Sequence, residues 1–74
     1  MPYVNIQITK EGGPDGKGAT TEQKKKLIAG VTDLLKNELG KSPATTHVVI
    51  SEVDLENWGV GGLAVEDYRR SQLS

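Results

Sequence analysis

Apolar residues alternate with polar ones from the start of the chain. Val4, Ile6 and Ile8 fall on one side of an extended backbone, and Tyr3, Asn5, Gln7 and Thr9 fall on the other. A period of two in a run rich in β-branched residues predicts a strand over 3–9. The pattern then breaks. Residues 10–19 hold Gly12, Gly13, Pro14, Asp15, Gly16 and Gly18, which is loop chemistry. A loop this long in so small a chain is either a solvated connector or a lid that touches substrate.

Past Thr20 the spacing becomes helical. Leu27, Ile28, Val31, Leu34, Leu35 and Leu39 form one apolar stripe. Thr20 with Gln23 makes a capping box and Gly40 supplies a stop, so the helix runs over 21–39. Lys24, Lys25 and Lys26 fall in its first turns, where the helix dipole disfavours cations; they read as a solvated face. Residues 46–53 predict a second strand. Its Val48, Val49 and Ile50 run without a polar break, as in a strand covered on both faces. Strand, helix and strand predict a βαβ unit with parallel strands and a right-handed crossover.

The segment Asn57-Trp58-Gly59-Val60-Gly61-Gly62 predicts a tight hairpin or bulge. Its glycines open no helix and precede no Lys-Ser/Thr pair, so they are not a phosphate loop. Residues 63–74 predict a weak helical turn or a mobile tail, with Arg69 and Arg70 exposed. The expected architecture is α+β: a single domain over 1–74, built from one β-α-β unit and a C-terminal hairpin.

Size sharpens this picture. With 74 residues the core is small and stability marginal. Chains of this size lean on disulfides, metals or oligomerisation. There are no cysteines and His47 is the single histidine. Disulfides and thiolate metal sites are excluded, and a metal cluster or a Ser-His-Asp triad is disfavoured. Oligomerisation is the remaining support. A two-stranded sheet with a helix on one face also leaves its other face and both edges bare, which a second copy would cover. The net charge is −1, with both signs interspersed, so no nucleic-acid partner is expected. No apolar run reaches membrane-spanning length and no leader is visible, so a cytoplasmic chain without a membrane partner is expected.

Candidate chemistry begins at Pro2. Its plainer role is to start a strand, where a missing N–H costs little. With Met1 removed, however, Pro2 carries a rigid secondary amine. An α-amino group titrates near pH 8, and a dry pocket or a nearby cation lowers that value toward the working pH. Such a group suits proton transfer. His47 is either a surface residue at a strand end or a donor that titrates near neutrality. Trp58 fills an interface, walls a pocket, or does both. Asp15, Glu52 and Asp54 read as solvated or structural.

The ordered set resembles the 4-oxalocrotonate tautomerase family across nearly the whole chain. It comprises Pro2 and its strand, Glu22-Gln23-Lys24 at the helix start, Val49-Ile50-Ser51-Glu52, and Trp58-Gly59-Val60-Gly61-Gly62. The resemblance implies dimers assembling into a homohexamer and a keto–enol tautomerase, an isomerase without cofactor or metal. Pro2 would be the general base acting on a small enol or 2-oxo acid, and Trp58 the aromatic that keeps its pocket apolar. The family's two substrate-gripping arginines are absent. Lys17 stands nearest the first of those positions and His47 at the second, which makes them the expected substrate-binding residues beside Trp58. A lysine or a histidine lacks the two-pronged guanidinium, so the family's dicarboxylate substrate does not carry over with them. Two alternatives stay open. A hydratase or dehalogenase of the same superfamily would need a carboxylate to activate water, and Glu52 suits that poorly. A non-catalytic oligomeric module would keep Met1 and so block the amine.

Overall fold

The computed structural model describes residues 1–73. Strand β1 covers Tyr3–Thr9 and helix α1 covers Thr21–Leu39. Strand β2 covers His47–Val53 and pairs with β1 in parallel, Tyr3 opposite His47 and Thr9 opposite Val53. A hairpin of β3 (Gly59–Val60) and β4 (Leu63–Ala64) follows, and then helix α2 (Val65–Ser71). The chain is α+β, a β-α-β unit with a C-terminal hairpin, as its pattern predicts.

Each boundary has a local cause. The Thr20 side chain accepts the Gln23 N–H at 3.1 Å, and the Thr20 N–H donates to Gln23 Oε1 at 2.9 Å. This capping box satisfies donors that the first turn leaves orphaned. Gly40 ends α1 at φ 65°, the left-handed conformation glycine adopts without strain. Strand β2 starts one residue later than expected. Thr46 instead closes a tight turn over Pro43–Thr45, its N–H reaching the Pro43 carbonyl at 3.3 Å. Between β3 and β4, Gly61 and Gly62 both have positive φ, 63° and 84°, as a two-residue type I′ turn requires.

The sheet has one covered face and one bare face. Val4, Ile6, Ile8, Val48 and Ile50 are half-buried on the α1 side, against the half-buried Val31 and Leu35. Lys24 belongs to this inner face, not to a solvated one: its ammonium pairs with Glu52, and both side chains are partly buried. Opposite lie Tyr3, Asn5, Val49 and Ser51. Asn5 Nδ2 donates to Ser51 Oγ at 3.0 Å and to the Tyr3 hydroxyl at 3.3 Å, a polar row across the strands. Val49 is 45% exposed, so the expected cover on both faces of β2 is absent within one chain. Leu34 and Leu39 of the helical stripe are also largely exposed, because two strands are too narrow to cover it.

Of the two readings the pattern allows for the C-terminal residues, the helical turn holds over Val65–Ser71, and it belongs to a folded arm. Val65 is only 7% exposed, and its N–H bonds the Trp58 carbonyl at 2.8 Å. Gly61 lies against the Tyr68 ring. Arg69 is fixed by a two-pronged ion pair to Glu11. The chain is elongated, 48 × 27 × 17 Å, with a radius of gyration of 15.8 Å. A compact domain of this length would have about 11 Å. Among the described residues, no helix is long and apolar enough to cross a membrane.

Candidate active site

Pro2 sits one residue ahead of β1 and is half-buried. Its carbonyl accepts the His47 N–H at 3.0 Å, which extends the parallel ladder by one bond. Its nitrogen has no hydrogen to donate and takes no part in that ladder. Met1, 87% exposed, makes no hydrogen bond or ion pair among the described residues. Removing Met1 would therefore disturb no ladder bond, and would leave Pro2 anchored by its carbonyl with its amine free.

His47 is the only other predicted site residue at this end of the sheet. It faces Tyr3 across the ladder and is exposed. No carboxylate pairs with it among the described residues.

Lys17 and Trp58 lie at the other end. The strands are parallel, so β1 and β2 both finish there. Seven residues at about 3.3 Å each separate the two ends by roughly 20 Å. The long loop leaves from this end and returns to it. The Gly18 N–H reaches the Gly12 carbonyl at 3.0 Å, pinching residues 13–17 into a lobe. The pinch needs glycine: a Cβ on Gly13, at φ 73°, would stand 2.1 Å from the Gly18 carbonyl oxygen. Within the lobe the Lys17 N–H donates to Asp15 Oδ1 at 2.9 Å, while the Lys17 ammonium has no acidic partner among the described residues. Asp15 thus shapes the loop, a structural role the sequence allowed it.

Trp58 is half-buried and closes a tight turn over Leu55–Asn57, its N–H reaching the Leu55 carbonyl at 3.1 Å. The arm that carries it is tied to the end of β1 by Lys10–Asp54 at 3.1 Å and by Arg69–Glu11. An apolar hollow of about 500 Å³ opens at the same end, lined by Ile8, Ala19, Gln23, Lys26 and Leu27. One chain thus brings Pro2 and His47 together at one end, and Lys17 and Trp58 to the region of the other.

Glu11 was not singled out in the sequence, and Arg69 was read there as an exposed residue of the tail. Arg69 donates from Nη1 to Glu11 Oε2 at 2.8 Å and from Nη2 to Oε1 at 2.9 Å, and the Thr9 hydroxyl adds a third bond at 2.7 Å. These bonds stabilise the carboxylate and pull its pKa from 4.5 to about 2, Arg69 contributing most and Thr9 next. The same pairing raises the Arg69 pKa. The partners are 58 positions apart, and no local pattern announces them. Lys24–Glu52 did leave a trace: Lys24 shares a helical phase with Val31 and Leu35.

Comparison with known proteins shows the family and the fold. The family described as Tautomerase enzyme matches residues 2–68. The chain belongs to the tautomerase family. Over 74 residues it is 58% identical to "Probable tautomerase K2" of Dickeya dadantii, covering 100% of both chains. The crystal structure of DmpI from Helicobacter pylori superposes with a TM-score of 0.80 at 43% identity, over 93% of this chain and 97% of that one. A 4-oxalocrotonate tautomerase isozyme from Methylibium petroleiphilum gives a TM-score of 0.71 at 32% identity, over 88% and 94%. As a tautomerase the chain is an isomerase by class. Its two arginines, Arg69 and Arg70, both fall in helix α2, late in the sequence, although Arg69 reaches back to Glu11 of the loop where the resemblance led one to look.

Proposed function

We propose that the mature chain, with Met1 removed, is a keto–enol tautomerase that uses the Pro2 amine as general base on a small 2-oxo acid. The observation that carries this reading is the way Pro2 is held. Its carbonyl is fixed in the ladder by His47, and its nitrogen carries no structural duty. A nitrogen so placed can accept a proton without breaking a structural bond.

The reaction balances without any co-reactant. The neutral amine takes the enol O–H proton, and the electron pair moves through the conjugated C=C. The resulting prolinium returns the proton to carbon, giving the ketone. Charge gathers on the enolate oxygen in between, where a cation or a hydrogen-bond donor stabilises it. Lys17 and His47 fill that role in this reading. Trp58 excludes water and so favours the neutral amine.

Lys17 and Trp58 lie at the far end of the sheet from Pro2, so the site is completed by a neighbouring chain. The bare sheet face, the exposed helical leucines and the elongated shape all call for such neighbours. A homohexamer built from dimers is the assembly proposed. Glu52, the carboxylate a water-adding relative would need, is engaged by Lys24, which argues against hydratase or dehalogenase chemistry.

Two measurements test this reading. Intact-mass analysis should give a chain starting at Pro2; a retained Met1 in an active preparation would refute the base. Pro2→Ala should slow ketonisation of phenylenolpyruvate by about a hundredfold or more, and turnover at the parent rate would refute it equally.

A further inference from the structure

Both guanidinium forks of the chain are occupied by its own carboxylates. Arg70 pairs with Asp67 one turn away. Arg69 grips both oxygens of Glu11, at 2.8 and 2.9 Å, the geometry by which an arginine holds a substrate carboxylate. Thr9 holds the same Glu11 carboxylate at 2.7 Å, so it is fastened on two sides. The fork also lies in the right place. Glu11 follows β1 at the end from which the Lys17 lobe and the Trp58 arm depart. Arg69 stands one helical turn, about 6 Å, beyond Val65, whose N–H bonds Trp58. Nearby, Lys10 is taken by Asp54 and Lys24 by Glu52. Among the described residues Lys17 keeps an ammonium without an acidic partner, a point charge suited to one carboxylate.

We propose that Glu11 decides the substrate class. By filling the Arg69 fork from within the chain, it leaves no guanidinium for a second carboxylate, and the preferred substrate is an enol bearing one carboxylate. Glu11 is a specificity-determining residue that never touches the reacting atoms. This inference rests on the tautomerase reading above and names the substrate of that same site.

The test is a gain of function. Glu11→Gln frees Arg69, and should raise kcat/KM for 2-hydroxymuconate, a dicarboxylate, relative to phenylenolpyruvate, a monocarboxylate, by about tenfold, the worth of one charge-assisted contact. The double variant Glu11→Gln/Arg69→Gln should lose that gain. An unchanged ratio in Glu11→Gln, or a gain that survives loss of Arg69, overturns the proposal. If Glu11→Gln fails to assemble, Thr9→Val removes one of the bonds and must move the ratio the same way by less; an unmoved ratio overturns the proposal again. Pro2→Ala, assayed beside them, separates the two ideas. If Pro2→Ala keeps its turnover, the base assignment falls, and Glu11 is judged on binding alone. Trp58 fluorescence should then show muconate binding about tenfold tighter to Glu11→Gln, with phenylpyruvate unchanged, whereas an equal change for both ligands would overturn it.

Discussion

The two ends of the small parallel sheet differ in kind. At the end where the strands begin, Pro2 and His47 are joined by one backbone bond, and neither side chain meets a carboxylate among the described residues. At the end where they finish, Lys10–Asp54, Lys24–Glu52 and Arg69–Glu11 crowd around the roots of a glycine-pinched loop and a folded arm. The first end offers a nitrogen with no structural task. The second offers fixed charge and an aromatic. The pKa of an amine base falls in dry surroundings or beside a cation. An anionic substrate needs cations. One chain supplies both environments but holds them roughly 20 Å apart, the length of a strand. In the proposed reading that separation makes assembly part of the chemistry, and the exposed apolar surface of the single chain serves it.

Predictions can be ordered by how hard they strike this contrast. At the first end, His47→Ala should keep the strand pairing, since only the His47 backbone enters the ladder, and should slow ketonisation by about tenfold through loss of an oxygen-stabilising donor. A rate equal to the parent's would confine that end's chemistry to Pro2. Between the ends, the sheet's two faces should respond unequally. Ile50→Ala, under α1, should cost about 2 kcal/mol in chemical denaturation, the low end for a truncated core isoleucine. Val49→Ala on the bare face should cost less than half of that in the separated chain, and comparably only once neighbours cover it. At the second end, Thr20→Ala should lower stability by about 1 kcal/mol by removing the capping box beside the pinched loop.

The smallest effect is expected from acid. Glu11 titrates lower in the folded chain than in the unfolded one, so its link to Arg69 contributes fully above pH 4.5 and is lost as pH falls from there toward 2. Thermal denaturation from pH 5 to pH 2.5 should therefore show a decline that Glu11→Gln reduces. An identical slope in that variant would mean the fork holds nothing in place.

These contrasts also mark what a single sequence can reveal. A period of two located β1 and a period of 3.6 located α1 almost to the residue, because one-sided burial is written directly into spacing, while β2 was placed within one residue by its unbroken apolar run. Thr20 and Gly40 marked the helix ends through backbone groups a few positions away, and the paired glycines 61 and 62 marked the hairpin. Local chemistry of this sort is legible. The arm was not, because Val65 and Arg69 owe their places to Trp58 and Glu11, and no periodic signal spans such distances. Lys24 was misplaced by the habit of assigning lysine to solvent, although its helical phase pointed inward toward Glu52. Pro2, His47, Lys17 and Trp58 were named from their chemistry and their resemblance to the family. That the last two lie a strand's length from the first two follows only from the parallel register.

Mixing two crippled chains tests the central claim most directly. Pro2→Ala and Trp58→Ala proteins, each weak alone, are unfolded together, refolded as a mixture and assayed for ketonisation. If the base of one chain works beside the Trp58 of another, some mixed sites receive both intact residues, and about a quarter of parent activity returns, the statistical share for random association of the two kinds of chain. Activity no greater than the average of the two separate variants, in a mixture shown by native mass spectrometry to contain both chains, would contradict a site shared between subunits.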